Sequence, residues 1–161
     1  MKIAIVSDSH DNLPKVEEAF KKINEEKIDF VIHLGDYIAP FTIRKIREIY
    51  NGKLIGIFGN NDGDKILLSK IFDVYNWEIY EPPKFFEIKN KKFLLFHSLP
   101  DFEKIEFNVE YILFGHTHRV YIKKEKFNIL NPGELCGYLT GNSTFLIIDI
   151  EKNEERIIEI K

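Results

Sequence analysis

The sequence predicts an α/β fold in two halves, a strand–helix crossover half followed by a half made of strands. Three observations carry that prediction. Short apolar runs recur along the chain, the first three are separated by segments of helical spacing, and from Lys84 onward the helical spacing is gone. Residues 3–6, Ile-Ala-Ile-Val, form the first buried strand. Val16, Ala19, Phe20 and Ile23 then mark a helix of about four turns, ending near Asn24. Asp11 or Asn12 caps it, and Pro14 is tolerated in a first turn whose N–H has no intrahelical partner. Residues 30–34 give the second strand. Strand, helix, strand reads as a parallel crossover unit, which delivers both strand ends to one edge.

Pro40 opens a second helix with Ile43, Ile46, Ile49 and Tyr50 on one face, closed by Asn51-Gly52. Residues 54–58 form a third strand, followed by a short helix carrying Ile66, Leu67 and Ile71. Residues 73–83 read as a loop ending in a turn at Pro82-Pro83. Residues 85–88 and 92–96 form a hairpin about Lys89-Asn90-Lys91, and residues 111–114 a further buried strand. Residues 120–124 pair with 127–130 before Asn131-Pro132-Gly133 breaks the run. Residues 144–150 and 155–160 close the chain as a hairpin about Lys152-Asn153. This second half reads as mostly antiparallel, and residues 1–161 as one domain without repeat or linker.

Composition excludes several function classes. With 44% hydrophobic and 30% charged residues the chain can bury a core and stay in solution. No apolar stretch approaches the roughly 20 residues of a membrane-spanning helix, and strand-like sequence from Lys2 leaves no leader. One cysteine, Cys136, allows no internal disulfide and fits the cytoplasm. A net charge of −3 gives no general attraction to nucleic acid.

Five strand ends carry side chains suited to metals: Asp8 and His10, Asp36, Asn60, His97, and His116 with His118. In open α/β sheets the ligand crevice lies at the carboxyl ends of strands, so these seven can meet. Hard oxygens mixed with imidazole nitrogens suit Mn²⁺, Fe, Ni²⁺ or Zn²⁺ better than Mg²⁺ or Ca²⁺. Seven donors exceed what one tetrahedral ion needs and suit two ions bridged by one carboxylate. Alone, Asp8 with His10 would serve as well to cap a turn, and Asn60 to shape one beside Gly59. Recurrence at five strand ends is what favours the metal. His33, inside an apolar strand, reads as a hydrogen-bonded core histidine and Cys136 as a small apolar residue. Trp77, Phe85 and Phe86 read as core.

Asp8-Ser9-His10, Gly35-Asp36, Gly59-Asn60, His97 and Gly115-His116-Thr117-His118 resemble, in order, the motifs of the calcineurin-like metallophosphoesterases. The short length and Asn131-Pro132-Gly133-Glu134 are most similar to their small archaeal and bacterial phosphodiesterase branch, which includes relatives of the retromer scaffold subunit. The resemblance implies a four-layer α-β-β-α sandwich of two mixed sheets flanked by helices. It implies that Asp8, His10 and His118 bind one metal, Asn60, His97 and His116 a second, and that Asp36 bridges them. Mn²⁺ or Ni²⁺ are the first expectation, with Zn²⁺, Fe or Mg²⁺ as alternatives. The implied reaction is hydrolysis of a small phosphodiester by a metal-activated water or hydroxide.

The chain departs from the family pattern at two points. Asn61 stands where many members carry His; an amide can hydrogen-bond a phosphoryl oxygen but cannot supply a proton near pH 7. After His97, Ser98-Leu99-Pro100 replaces a more usual Gly and a further His. Two alternatives follow: a scaffold that binds metal weakly, or a phosphomonoesterase. A homodimer or higher homo-oligomer through the strand-rich half is the expected self-association.

Overall fold

The computed structural model of the chain describes residues 1–100 and 108–161. β1 (Lys2–Val6), α1 (Leu13–Glu25), β2 (Phe30–His33), α2 (Pro40–Ile49), β3 (Lys53–Ile57), α3 (Lys65–Val74) and β4 (Glu78–Tyr80) alternate as a crossover pattern requires. β1 to β4 are parallel neighbours. β5 (Lys84–Ile88), β6 (Lys91–Leu95), β7 (Tyr111–Leu113), β8 (Val120–Lys124) and β9 (Asn128–Pro132) form a second sheet, ordered β5-β6-β7-β9-β8. β10 (Ser143–Asp149) and β11 (Glu154–Ile160) return to the first, making its order β11-β10-β1-β2-β3-β4.

Period-two alternation sorts the first sheet's side chains between two cores. Ala4, Val6, Val31 and Leu54 face the helices, where Phe20, Ile43, Ile46 and Phe72 cover them. Ile3, Ile5, Ile32 and Ile57 face the second sheet and meet Phe93, Leu95, Tyr111 and Leu113. Each such burial contributes about 1.5–3 kcal/mol, and the rings of Phe86, Phe93 and Tyr111 stack at 4.9 and 4.8 Å along this seam. The other face of the second sheet carries Leu94, Phe96, Ile112 and Phe114, an apolar surface suited to an outer layer. Two mixed sheets with helices agree with the expected sandwich. The three described helices pack on the first sheet, and among the described residues no helix covers the second.

Local differences have simple causes. β4 lies where the sequence reads as loop, because three residues at a sheet edge show no periodicity. The strand-rich half is less antiparallel than its pattern implies, since β6, β7 and β9 are mutually parallel. The terminal hairpin joins the first sheet through β10 against β1, a pairing that strand pattern alone cannot assign. β9 continues through Asn131 and Pro132, with Pro132 at the end of the strand. On α3, Leu68, Ile71 and Phe72 face the core while Ile66 and Leu67 are exposed. Phe85 is 51% exposed and so not core, whereas Trp77 is buried with its indole N–H donated to the Gly52 carbonyl.

His33 is the hydrogen-bonded core histidine that the sequence suggests. Its Nδ1 accepts from the Gly35 amide at 3.2 Å, so Nε2 carries the hydrogen and donates to Ser9 Oγ at 3.1 Å. Ser9 in turn donates to the Asp36 carbonyl, at 3.3 Å. This chain locks the loop after β1 to the loop after β2. Burial pushes the His33 imidazole down to about 3 from 6.5, so the folded ring stays neutral where the unfolded one takes a proton. The stability that this neutral ring supplies is therefore full above pH 6.5 and lost as pH falls towards 3. Urea unfolding at pH 7 and pH 5 should show the wild type losing about 2 kcal/mol more than His33→Gln across that interval. Equal losses would contradict a neutral buried His33.

Candidate metal centre

The loops after β1, β2, β3, β6 and β7 meet where the two sheets abut. The segment after β9 is tied to the loop after β1 by Leu135 N–H to the Ser7 carbonyl (2.9 Å) and Cys136 N–H to the Asp8 carbonyl (3.0 Å). Close approach demands glycine. A Cβ on Gly59 would stand 2.1 Å from Asp36 Oδ1, and one on Gly35 2.6 Å from the Gly59 nitrogen. Asp8, His10, Asp36, His116 and His118 all hold left-handed backbones, with φ of 52°, 42°, 58°, 65° and 61°. That conformation costs an L-residue about 1–2 kcal/mol, and its concentration here marks a segment held in place by its surroundings.

Part of that hold is Asp62, which the sequence reading missed. Its carboxylate accepts the amides of Asp36 (3.0 Å), Tyr37 (2.7 Å), Ile38 (2.9 Å) and Gly59 (2.7 Å). One buried carboxylate thus fixes both glycine-led loops. Its only sequence signal is an Asp two residues beyond Asn60.

All seven expected residues come together. Asp36 Oδ2 lies 3.5 Å from His10 Nε2 and 3.4 Å from His97 Nε2, facing both halves of the cluster. Asp8 Oδ1 is 3.5 Å from His118 Nε2 and 3.9 Å from His10 Nε2. On the other side, Asn60 Oδ1 stands 2.9 Å from both His97 Nε2 and His116 Nδ1. Two donors about 2.1 Å from one ion stand about 3.4 Å apart at a tetrahedral angle and about 3.0 Å apart at a right angle. The spacings of 2.9, 3.4 and 3.5 Å fall close to these values, and the 3.9 Å between Asp8 and His10 corresponds to a wider angle.

Hydrogen-bond accounting points the same way. His97 Nδ1 faces the Leu34 carbonyl at 2.7 Å, and a carbonyl can only accept, so Nδ1 bears the hydrogen. Nε2 of the neutral ring then turns a lone pair toward two oxygens. His118 repeats this arrangement, donating from Nδ1 to Glu134 Oε2 at 2.7 Å and aiming Nε2 at Asp8. Asp8 Oδ1 and His10 Nε2 are buried with no hydrogen-bond partner among the described residues. Acceptors facing acceptors, with orphaned atoms between them, fit divalent cations.

The charges agree. Among the described residues, the ion-pair partners of Asp8, Asp36 and Glu134 are imidazoles alone. Burial raises the Asp8 carboxyl above its usual range. Burial also opposes ionisation of Asp36, but the neighbouring His97 imidazole and hydrogen bonds from Asn61 outweigh it and hold that carboxyl well below normal. For His97 burial favours the neutral ring, and Asp36 overcomes it, so the imidazole is raised. The field favours positive charge between these groups.

Asn61 donates its backbone N–H to Asp36 Oδ1 (2.9 Å) and its side-chain amide to Asp36 Oδ2 (2.8 Å). The amide has two N–H bonds, and the second remains for another acceptor. Glu134 is the other residue that the sequence reading missed as part of the site. Fully buried, it accepts from His118, from the Cys136 thiol at 3.0 Å, and from Thr140 through N–H (2.6 Å) and hydroxyl (2.7 Å). Burial alone would raise its carboxyl, but these bonds hold it down at about 2. Cys136 is buried as expected, and burial pushes its thiol up to about 12. It is an inert thiol.

Residues 1–153 match the family model of the calcineurin-like phosphoesterase superfamily domain. Phosphodiesterase MJ0936 of Methanocaldococcus jannaschii is 36% identical over all of both chains. A solved archaeal phosphodiesterase superposes with a TM-score of 0.90 at 35% identity, covering 99% of each chain. YfcE, a phosphoesterase from E. coli, shares the fold at a TM-score of 0.73 and 18% identity over the full length of both.

Glu134 orients His118 from behind, as carboxylates commonly do for metal-binding imidazoles. Glu134→Gln presents an amide group to N–H donors, and should weaken metal affinity by about 10- to 100-fold. Calorimetric titration of chelator-stripped protein with Mn²⁺ measures this, and unchanged affinity would contradict the orienting role.

Proposed function

This chain belongs to the calcineurin-like phosphoesterase superfamily, and from that premise we propose that it is a two-metal phosphodiesterase acting on small phosphodiesters, with residues 1–161 as one catalytic domain. Asp8, His10 and His118 hold one ion, Asn60, His97 and His116 the other, and Asp36 bridges them. The observation that carries this reading is Asp36 Oδ2, set 3.5 Å from a nitrogen of the first group and 3.4 Å from one of the second. Bound divalent ions supply the charge that lowers the pKa of a nucleophilic water and offsets charge on phosphoryl oxygens. Mn²⁺ or Ni²⁺ best suit four imidazoles mixed with oxygens, because Mg²⁺ prefers oxygen ligands and retains water.

The chain's own residues prepare that chemistry. Leu34 and Glu134 fix the ring orientations of His97 and His118. Asn61 holds the bridging carboxylate with one amide hydrogen and offers the other to a phosphoryl oxygen. It cannot protonate a leaving group near pH 7, so esters with good leaving groups should react faster than alkyl esters.

Chelator-stripped protein should regain cleavage of bis-(p-nitrophenyl) phosphate with Mn²⁺ or Ni²⁺, and Asp36→Asn should not. Faster cleavage of p-nitrophenyl phosphate would favour a phosphomonoesterase. No turnover with any ion, despite metal binding, would favour a scaffold. In the active protein, Asn61→His should raise turnover of alkyl phosphodiesters by about 100-fold, the low side of a general acid's contribution. No gain would remove Asn61 as the cause of that preference.

A further inference from the structure

One cleft at the centre has walls unlike the rest. It has a volume of about 350 Å³ and begins at Asn60, His97 and His116. Phe58, Phe96, Pro82 and Pro83 supply its apolar lining, with Ser98 and Glu81 beside them. Phe58 and Phe96 are the last apolar residues before Gly59-Asn60 and His97, so the strand ends that present the second ion's residues also build the walls. Both phenyl groups are buried, at 6% and 9% exposure, so only a small part of each reaches the cleft. Glu81 is paired with Lys65 at 2.8 and 3.1 Å, and the Lys65 ammonium lies 5.0 Å from the centre of the Phe58 ring. The hollow on the opposite side, beside His118, has a volume of about 410 Å³ and is lined by Arg119, Thr140, Asn142, Thr144 and Glu159 among others. It has neither phenyl nor proline faces.

We propose that the cleft bounded by Phe58, Phe96, Pro82 and Pro83 is the subsite for one ester group of the phosphodiester, and that it takes a planar ring rather than an alkyl chain. This rests on the phosphodiesterase reading above. The physical grounds are three. Its volume suits one ring-bearing group and lies within the lower range of small-molecule sites. Its lining carries rigid rings, two of them aromatic, whose exposed parts can meet the face of a flat partner for a gain beyond its buried area, while an alkyl chain would lose rotamer freedom on being held. Glu81, in the lining, has its charge balanced by Lys65, so it can accept a hydrogen bond from the polar edge of a ring while the pair as a whole attracts no second anion. The phosphoryl group then lies at the inner end, beside Asn60, His97 and His116.

Calorimetric titration of the Mn²⁺-loaded protein with phenyl phosphate, thymidine 5′-monophosphate and methyl phosphate tests this without turnover. At least one of the two ring-bearing ligands should bind about tenfold more tightly than methyl phosphate. Preference for phenyl phosphate would support a ring borne directly on phosphorus's ester oxygen, and preference for the nucleotide a ring one sugar away. Ser98→Trp, a change at an exposed lining position that fills the cleft, should bring the affinities within about twofold of one another. Equal affinities in the wild type overturn the ring subsite even if diesters are cleaved. A ring preference that survives Ser98→Trp overturns it too, because the ring is then held elsewhere. Ring preference without any metal-dependent cleavage would instead overturn the reaction proposed above.

Discussion

Two carboxylates, Asp8 and Asp36, are buried beside each other and beside His97, with ligand atoms all within 4.8 Å. Taking an ion out of water costs several kcal/mol even after relaxation, and placing like charges together adds to it. No Lys or Arg pairs with either among the described residues; imidazoles stand there instead. Much of the surrounding structure answers this constraint. Amide groups of Asn61 and His116 donate to the carboxylate oxygens, and Nε2 atoms of His10, His97 and His118 face them. Cations in the same space would balance the carboxylates, and the donors are numerous enough for the two ions proposed.

The fold makes this arrangement affordable by spreading its support over both sheets. Parallel β1, β2 and β3 deliver Asp8, His10, Asp36 and Asn60 to one edge, while β6 and β7 of the second sheet deliver His97, His116 and His118. Crosslinks such as His97 to the Leu34 carbonyl and Asn131 Nδ2 to the Gly115 carbonyl (2.8 Å) fix one sheet's loops to the other's and to each other. The left-handed backbones of five ligand candidates persist because Asp62, His33 and Glu134 hold their loops from behind.

Donors at strand ends were legible because each follows a buried apolar run, and apolar runs are the strongest signal a sequence carries. His33 and Cys136 were legible by the same rule, as polar or soft residues inside apolar surroundings. Glu134 and Asp62 were not. Each acts through backbone amides and neighbouring side chains brought to it by the fold, and nothing in their spacing distinguishes them from surface carboxylates. Phe85 shows the converse error: its phenyl ring suggested core, but on β5, an edge strand, one face is open. The pairing of β10 with β1 likewise depends on long-range packing that local pattern does not encode.

The central claim is that Asp36 bridges two metal ions. Electron paramagnetic resonance of chelator-stripped protein reloaded with Mn²⁺ tests it most directly, because two ions sharing a carboxylate are exchange-coupled. Saturation at two Mn²⁺ per chain with a coupled spectrum, lost in Asp36→Asn, is the result this structure predicts. One Mn²⁺ per chain, or two that remain magnetically independent, would contradict it.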